Sequence, residues 1–554
     1  MINAAKADEA GSYETKSHET KSHETKSHAE TEGKCGTEHS PKAHRETDKA
    51  HTETELKLAL SPAGEYEIAN HPAFHPSGAN GPKQVHLTTT YFDTADGRLD
   101  RSGLSLRVRD TGNGRIQTVK QRGKPGVAAS RGEWEWPIEQ SEPDLRRLSA
   151  LPVEKQLPPS LAGALQPVVV TDVERTVRVL HLPEGVVIEA ALDRGTVAAG
   201  DRRETIRELE LELHRGDPAS LYRLALELHA SAPLSVVAQS KAERGRRLGD
   251  GQAPPSVKAG DIVLHPELSA AQGLSQIVAE GLGHLLANQP AARSGDAEGV
   301  HQMRVAIRRL RAALVLFAEH IEPHAYERIT AELRRIGQVF GAARDWDVFA
   351  LELLPHALCA GAAAGWRNLS SGPVEARRGA AHECFEKELE GPPFTALVLG
   401  LAAWAAEGRS SAKAFGKGLQ APLEEVAPEL LAPLAEKVAR RGRHIARRSD
   451  PELHALRKSL KKLRYAVEFL ASLYPKKEVK AYLHHCKKLQ KTLGSINDGV
   501  TATHLARELT EAGRVDLVAA LAAVAQQSSR QRRASLRDLP DQWADFRREK
   551  CFWA

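Results

Sequence analysis

The sequence predicts a multidomain α+β protein: an N-terminal antiparallel β tunnel or barrel with flanking helices, then an all-α bundle of two pseudo-symmetric halves. Three observations predict it. Between residues 51 and 248, charged side chains recur at alternate positions on segment after segment, the two-residue period of strands. From about 265 to 545 the pattern turns helical and rich in Ala, Leu and Arg. Inside that region a basic stretch beginning at His301 recurs at His454, an offset of 153 residues.

The β region is organised around Glu53-x-Glu55-x-Lys57, whose charges alternate with Thr54, Leu56 and Leu58 and so project from one strand face. Two carboxylates and an ammonium on one face are costly to bury unless they pair or bind ions. A solvated strand edge would also carry them. The following segments repeat the pattern, however. Arg107 and Arg109 share a face, as do Thr118 and Lys120. Arg131, Glu133 and Glu135 align, Arg175 lies mid-segment, and Glu189 and Asp193 share a face before Gly195. Glu208, Glu210 and Glu212 form the cleanest alternation in the chain. A wet sheet face usually mixes small polar residues with its charges. Repeated Arg, Lys and Glu at alternate positions instead predict a closed or nearly closed barrel with a charged interior. Its basic groups suit phosphate oxygens, and its carboxylates suit Mg²⁺ or Mn²⁺.

These residues resemble the CYTH, or triphosphate tunnel metalloenzyme, domain over roughly 51–248. The elements that carry the likeness are Glu53-x-Glu55-x-Lys57, Leu106-Arg107-x-Arg109, Arg131-x-Glu133 and Ser240-Lys241-x-x-Arg244-Gly245, in the family's order. The resemblance implies an eight-stranded tunnel that hydrolyses a triphosphate with a divalent metal, Mg²⁺ or Mn²⁺. By the same analogy Glu53, Glu55, Glu208, Glu210, Glu212 and Asp193 hold the metal. Lys57, Arg107, Arg109, Lys120, Arg131, Glu133, Arg175 and Lys241 form the catalytic set, with Lys241 near the attacking water. Inorganic triphosphate is the expected substrate. Thiamine triphosphate, ATP cyclisation, and polyphosphate-granule binding without turnover are the alternatives. The family's glutamate motif usually lies near the N-terminus, whereas here fifty residues precede it.

Residues 214–247 return to a helical pattern, with Leu221, Leu224, Ala225 and Leu228 on one face, and 249–264 is expected to be a linker around Pro254-Pro255. In the helical region, His301, Arg304, Arg308 and Arg311 lie at i, i+3, i+7 and i+10, one stripe of a helix. His454, Arg457, Lys461 and Arg464 repeat it, flanked by Lys458 and Lys462 where the first copy has Arg309 among its neighbours. The same offset carries Arg334 and Arg335 onto Lys487 and Lys488, and Arg344-Asp345 onto Asn497-Asp498. Two like-charged stripes on duplicated units argue for a shared anionic ligand over a merely solvated face. This half resembles the CHAD domain over about 265–545, which implies inorganic polyphosphate as its partner. Aromatic residues do not interleave the stripes, which argues against nucleic acid.

The remaining bounds are negative. The net charge is only +5, so polyanion binding must come from local clustering. Five cysteines without C-x-x-C spacing argue against a disulfide framework and for a reducing, cytoplasmic compartment. No secretory leader is expected at the start. The longest apolar run, 396–406, is too short to span a bilayer, so no membrane partner is expected. Residues 1–50, with Glu-Thr-Lys-Ser-His repeated at 14–28, are expected to be a disordered low-complexity tail.

Overall fold

A computed structural model of the chain describes residues 51–553, apart from 75–80, 124–125, 149–152, 154–157, 252, 356–365, 412–414, 416–417 and 512–517. The predicted tail over 1–50 lies outside the described residues. The N-terminal elements run β1 (His51–Leu60), α1 (Pro62–Ala69), β2 (Lys83–Thr94), α2 (Arg98–Arg101), β3 (Leu104–Asp110), β4 (Arg115–Gln121) and β5 (Ala129–Ile138). They continue with β6 (Leu165–His181), β7 (Val187–Ala199), β8 (Arg202–Arg215), α3 (Pro218–Ser231), β9 (Leu234–Val236) and α4 (Lys241–Asp250).

All the strands pair antiparallel, in the order β5-β4-β3-β2-β6-β7-β8-β1-β9. Strand β1 closes the ring. Its residues 51–55 pair with β5, and its residues 55–59 pair with β8. The closed barrel therefore has eight strands, as the resemblance implied. The short β9 is added beside β1, inside a stretch whose pattern predicted only helix.

Alternation sorts the barrel into a charged lumen and an apolar outside. Leu56, Leu58, Leu209 and Leu211 are fully buried outside the ring against Leu221, Leu224 and Leu228 of α3. Leu106, Val119, Trp134 and Trp136 form a second outer cluster with Leu145 and Leu161. Helix α4 lies against β6, β7 and β8, and its Ser240–Glu243 capping box fixes its first turn.

The helical half comprises α5 (Ala270–Ala287), α6 (Gln289–Arg293), α7 (Ala297–Leu316), α8 (Pro323–Val348), α9 (Trp366–Glu390) and α10 (Pro392–Ser410). Helices α11 (Leu423–Arg441), α12 (Asp450–Phe469), α13 (Lys476–Glu511) and α14 (Val518–Arg548) complete it. The duplication is structural as well as sequential. An offset of 153 carries both ends of α7 onto both ends of α12, and the start of α8 onto the start of α13. The paired helices α7 and α12 pack against each other at the centre of the two halves.

Barrel and bundle are joined by α3 against α10, where Arg223 Nε donates to Glu407 at 2.8 Å and His229 meets the Pro392 carbonyl at 2.9 Å. The stretch between them is a pinned strap. Val257 N donates to Asn288 Oδ1 and Leu264 N to Ser472 Oγ, both at 2.8 Å, and Ile262 and Leu264 are buried.

At Gly195 the chain passes so close to β6 that an added Cβ would lie 2.0 Å from the Asp172 carbonyl oxygen. Gly195→Ala is expected to force β6 and β7 apart and to destabilise the barrel by about 2–3 kcal/mol in urea denaturation.

Candidate active site

The register places the lumenal charges. Lys57 on β1 stands opposite Glu210 on β8, and Asp193 on β7 stands opposite Glu208. Arg175 on β6 stands opposite Asp193, and Lys120 on β4 stands opposite Glu133 on β5. The first residue of α4, Lys241, enters this array at one side.

The resulting network is dense. Lys241 Nζ lies 2.6 Å from Glu210 and 2.9 Å from both Asp193 and Glu208. Lys57 Nζ donates to Glu210 at 2.9 Å and also pairs with Glu55. Arg175 binds both oxygens of Asp193 at 2.7 Å and reaches Glu210 as well. Arg244 pairs with Glu204 and Glu208. On the far wall, Lys120 pairs with Glu133 at 2.8 Å, and Arg107 lies 3.4 and 3.5 Å from Glu133 and Glu135. Glu210 is thus shared by three cations.

For Glu210 and Lys241, burial disfavours the charge and the neighbours outweigh it. Burial alone would raise the Glu210 carboxyl, but Lys241, Lys57 and Arg175 hold it well below the usual carboxylate range. Against the same burial, Glu210, Asp193 and Glu208 raise the Lys241 ammonium above its ordinary value. Arg109 is the exception. Its Nε donates to the Thr89 hydroxyl at 3.1 Å, and among the described residues no carboxylate pairs with it. Burial, then Arg107 and Arg175, push its guanidinium down to about 10. The cavity bounded by Arg107, Arg109, Arg175, Lys57 and Lys241 measures about 70 Å³.

Four predicted metal ligands, Glu55, Glu208, Glu210 and Asp193, are buried in this network. The side chains of Glu53 and Arg131 lie outside the described residues, although their backbones pair across β1 and β5. Glu212 is half-buried, and Glu55, Glu212 and Glu189 stand in one row across β1, β8 and β7. The oxygen donors fit Mg²⁺ or Mn²⁺ in kind. Among the described residues, no three His, Cys, Asp or Glu side chains converge as a closed cage requires. The set fits an ion held by one or two carboxylates, with substrate phosphate completing its shell.

Reasoning from charge alone overlooked the neutral lining. Leu87, Thr89 and Tyr91 alternate into the cavity from β2, and Thr171 faces it from β6. Tyr91 is buried beside Arg107, Arg109 and Lys241, which outweigh burial and lower its phenol below the ordinary value. Only the period-two placement of Tyr91 with Thr89 could have pointed to it.

In the helical half a groove of about 1000 Å³ brings together His301, Arg304, Arg308, Arg344, His454, Arg457 and Lys461. Four acids also line it: Asp345, 2.7 Å from Arg304, Glu352, 2.8 Å from Arg344, and Asp450 and Glu508. Trp346 and Glu352 were not anticipated. Burial and the neighbouring Arg344 hold the His301 imidazole at about 4, and Arg308 Nε is buried without a hydrogen-bond partner. Other predicted residues lie elsewhere. Arg309 and Arg464 stack on Tyr465 and pair with Glu468. Arg335 binds Glu388, and Lys488 binds Asp545. Arg334, Lys458, Lys462 and Lys487 are exposed, and Arg311 sits beside Gly337. An i, i+3, i+7 stripe cannot say where a groove ends, and Arg311 and Arg464, one turn further along, fall outside its lining.

Fold and site together define a two-domain chain. Residues 51–245 match the CYTH domain family, and residues 276–507 match the CHAD domain family. The chain carries a CYTH domain followed by a CHAD domain. The inorganic triphosphatase of Haemophilus influenzae is 33% identical over 202 residues, 36% of this chain and 56% of that relative, so this chain spans about half of its length. Among solved structures, the CHAD domain of Ricinus communis is 27% identical (TM-score 0.45, 53% of this chain and 96% of that one). A putative adenylyl cyclase from Hippeastrum, described as having a dominant triphosphatase activity, is 20% identical (TM-score 0.28, 37% and 98%).

Glu210→Gln removes the negative charge that three cations share and sets an amide NH₂ against them. It is expected to cost about 3–5 kcal/mol at pH 7 in urea denaturation. Because the folded carboxyl is depressed, the wild-type advantage should be fully present above the unfolded value, about 4.3, and fade as pH falls through the lower folded value.

Proposed function

We propose that the barrel hydrolyses inorganic triphosphate and that the groove of the helical half binds longer polyphosphate. The observation that carries the first part is Arg109, a half-buried guanidinium with no carboxylate partner among the described residues, set between Arg107 and Arg175. A desolvated cation cluster of this kind is relieved by an anion, and guanidinium groups bind phosphate oxygens bidentately.

The closed network suggests how substrate enters. The lumenal cavity is lined by Lys57, Arg175 and Lys241, cations that are already paired with carboxylates. Phosphate oxygens must therefore replace carboxylates as the partners of Lys57, Arg175 and Lys241. The displaced acids, Glu55 and Glu210 among them, are then buried anions in need of cations. Bound Mg²⁺ or Mn²⁺ would answer that need from Glu55 and Glu212, neutralising charge on the transferred phosphoryl group. Arg107, Arg109, Lys120 and Arg175 hold the chain. Lys241 lies beside the attacking water, which adds to the terminal phosphorus as the bridging P–O bond breaks, giving diphosphate and orthophosphate.

The 33% identical relative is an inorganic triphosphatase, which supports the inorganic substrate over thiamine triphosphate or ATP. The cysteine pattern supports a cytoplasmic setting. For the groove, the support is the convergence of both duplicated stripes on one void.

Phosphate release from triphosphate, diphosphate, ATP and long polyphosphate, each with Mg²⁺ and Mn²⁺, tests the barrel. Triphosphate should be cleaved fastest, and Glu55→Gln should lose nearly all of that activity while keeping the fold. Metal-dependent binding without release would leave a binding module instead.

Polyphosphate in the groove should raise the His301 value from about 4, so binding takes up a proton. Affinity is expected to strengthen as pH falls from 8 toward 5 and to weaken with salt, read by calorimetry in two buffers of different ionisation heat. His301→Ala should flatten its share of the pH dependence.

A further inference from the structure

The lumenal cavity does not end at the barrel. Past Glu55, Lys57 and Lys120 it continues into a second void of about 260 Å³, and the far wall of that void belongs to the helical half. Gly283 and Ala287 supply that wall. They lie four residues apart on α5 and so share one helix face. Both are small, and a glycine inside a helix costs about 1 kcal/mol relative to alanine. Here the small side chains leave the void open.

On its barrel side the same void carries four cations, Lys57, Lys120, Arg122 and Arg246, against three carboxylates. Arg122 reaches it from the end of β4, paired with Asp100 at 2.8 Å. Arg246 reaches it from α4 with its Nη1 on Asp100 at 2.6 Å. The rest of that guanidinium is poorly satisfied. Nε and Nη2 of Arg246 are buried and have no hydrogen-bond partner, and Nη2 pairs with Asp93 only at 3.7 Å. Buried donors without acceptors are costly and uncommon. The chamber therefore presents two arginines that share one carboxylate, Asp100, and a neutral wall, and it opens onto the lumenal cations Lys57 and Lys120.

Resting on the reading of the barrel as a triphosphatase, we infer that this chamber receives the part of a linear polyphosphate that extends beyond the three phosphates in the lumen. Arg246 and Arg122 hold it, and α5 sets how much chain fits. The helical half then acts on the barrel directly, as the wall that determines accepted chain length. It does so in addition to any binding in its own groove.

The test uses the full chain and three probes: inorganic triphosphate, tetraphosphate and a longer linear polyphosphate. Hydrolysis and calorimetric binding are read for each. Ala287→Leu pushes three further carbons into the chamber from the wall that belongs to the helical half. It should keep the wild-type kcat/KM and affinity for triphosphate, and lose about tenfold or more on the two longer chains, the scale of a steric misfit of one or two methylenes. Arg246→Gln should weaken binding of the longer chains selectively, with triphosphate as the control that the barrel is folded. Equal effects of Ala287→Leu on all three probes, or none on any, would overturn the inference. A wild-type protein that binds triphosphate without cleaving it refutes the hydrolytic reading alone. The chamber is then judged by the same length-selective loss in affinity.

Discussion

The barrel depends on Glu210, one carboxylate that answers Lys57, Lys241 and Arg175 together. An eight-stranded ring of this size must fill its interior with side chains, and here they are ionic. Each charge has been moved out of water at a cost of several kcal/mol, which only close and multiple pairing offsets. The lumen is therefore a network with no spare partner: disturbing one member leaves others exposed to the same cost. Arg109 donates to a threonine hydroxyl and to no carboxylate among the described residues, and so marks where an added anion meets least competition.

That balance links the parts of the proposed chemistry. On this reading a phosphate chain takes cations from Glu55, Glu210 and Asp193, and a divalent ion held from Glu55 and Glu212 would offset the negative charge left behind. Metal and phosphate each remove the penalty created by the other. A lumen preset for metal alone would need acids converging on one point, and the described residues show no such cage.

Much of the barrel was legible because a tunnel with a charged interior writes its inward positions as charges at period two. Lys57, Glu210, Arg175 and Asp193 were readable for that reason, and the register brings them together. Tyr91 and Thr89 were not, because neutral inward residues look like any mixed strand. The three-residue β9 escaped because it is too short to show a period. In the bundle, the repeat at an offset of 153 made it readable that the helix carrying His301 and the helix carrying His454 correspond, and α7 and α12 do. What it could not give was the difference between the copies. Position 468 is Glu where its counterpart 315 is Val, so Arg309 and Arg464 turn onto Glu468 and Tyr465 and leave the groove. The chamber behind the lumen was also out of reach, because it forms only where α5 meets the barrel, and Gly283 and Ala287 resemble ordinary helix residues.

Exchange of internal acids for phosphate is most directly tested by calorimetric titration of Mg²⁺ into the protein, with and without a non-hydrolysable triphosphate analogue. Weak or undetectable Mg²⁺ binding to the protein alone, and tight binding once the analogue is present, is the predicted result. Equal Mg²⁺ affinity in both titrations would contradict it, because the lumenal carboxylates would then be available to metal while still paired with Lys57, Arg175 and Lys241.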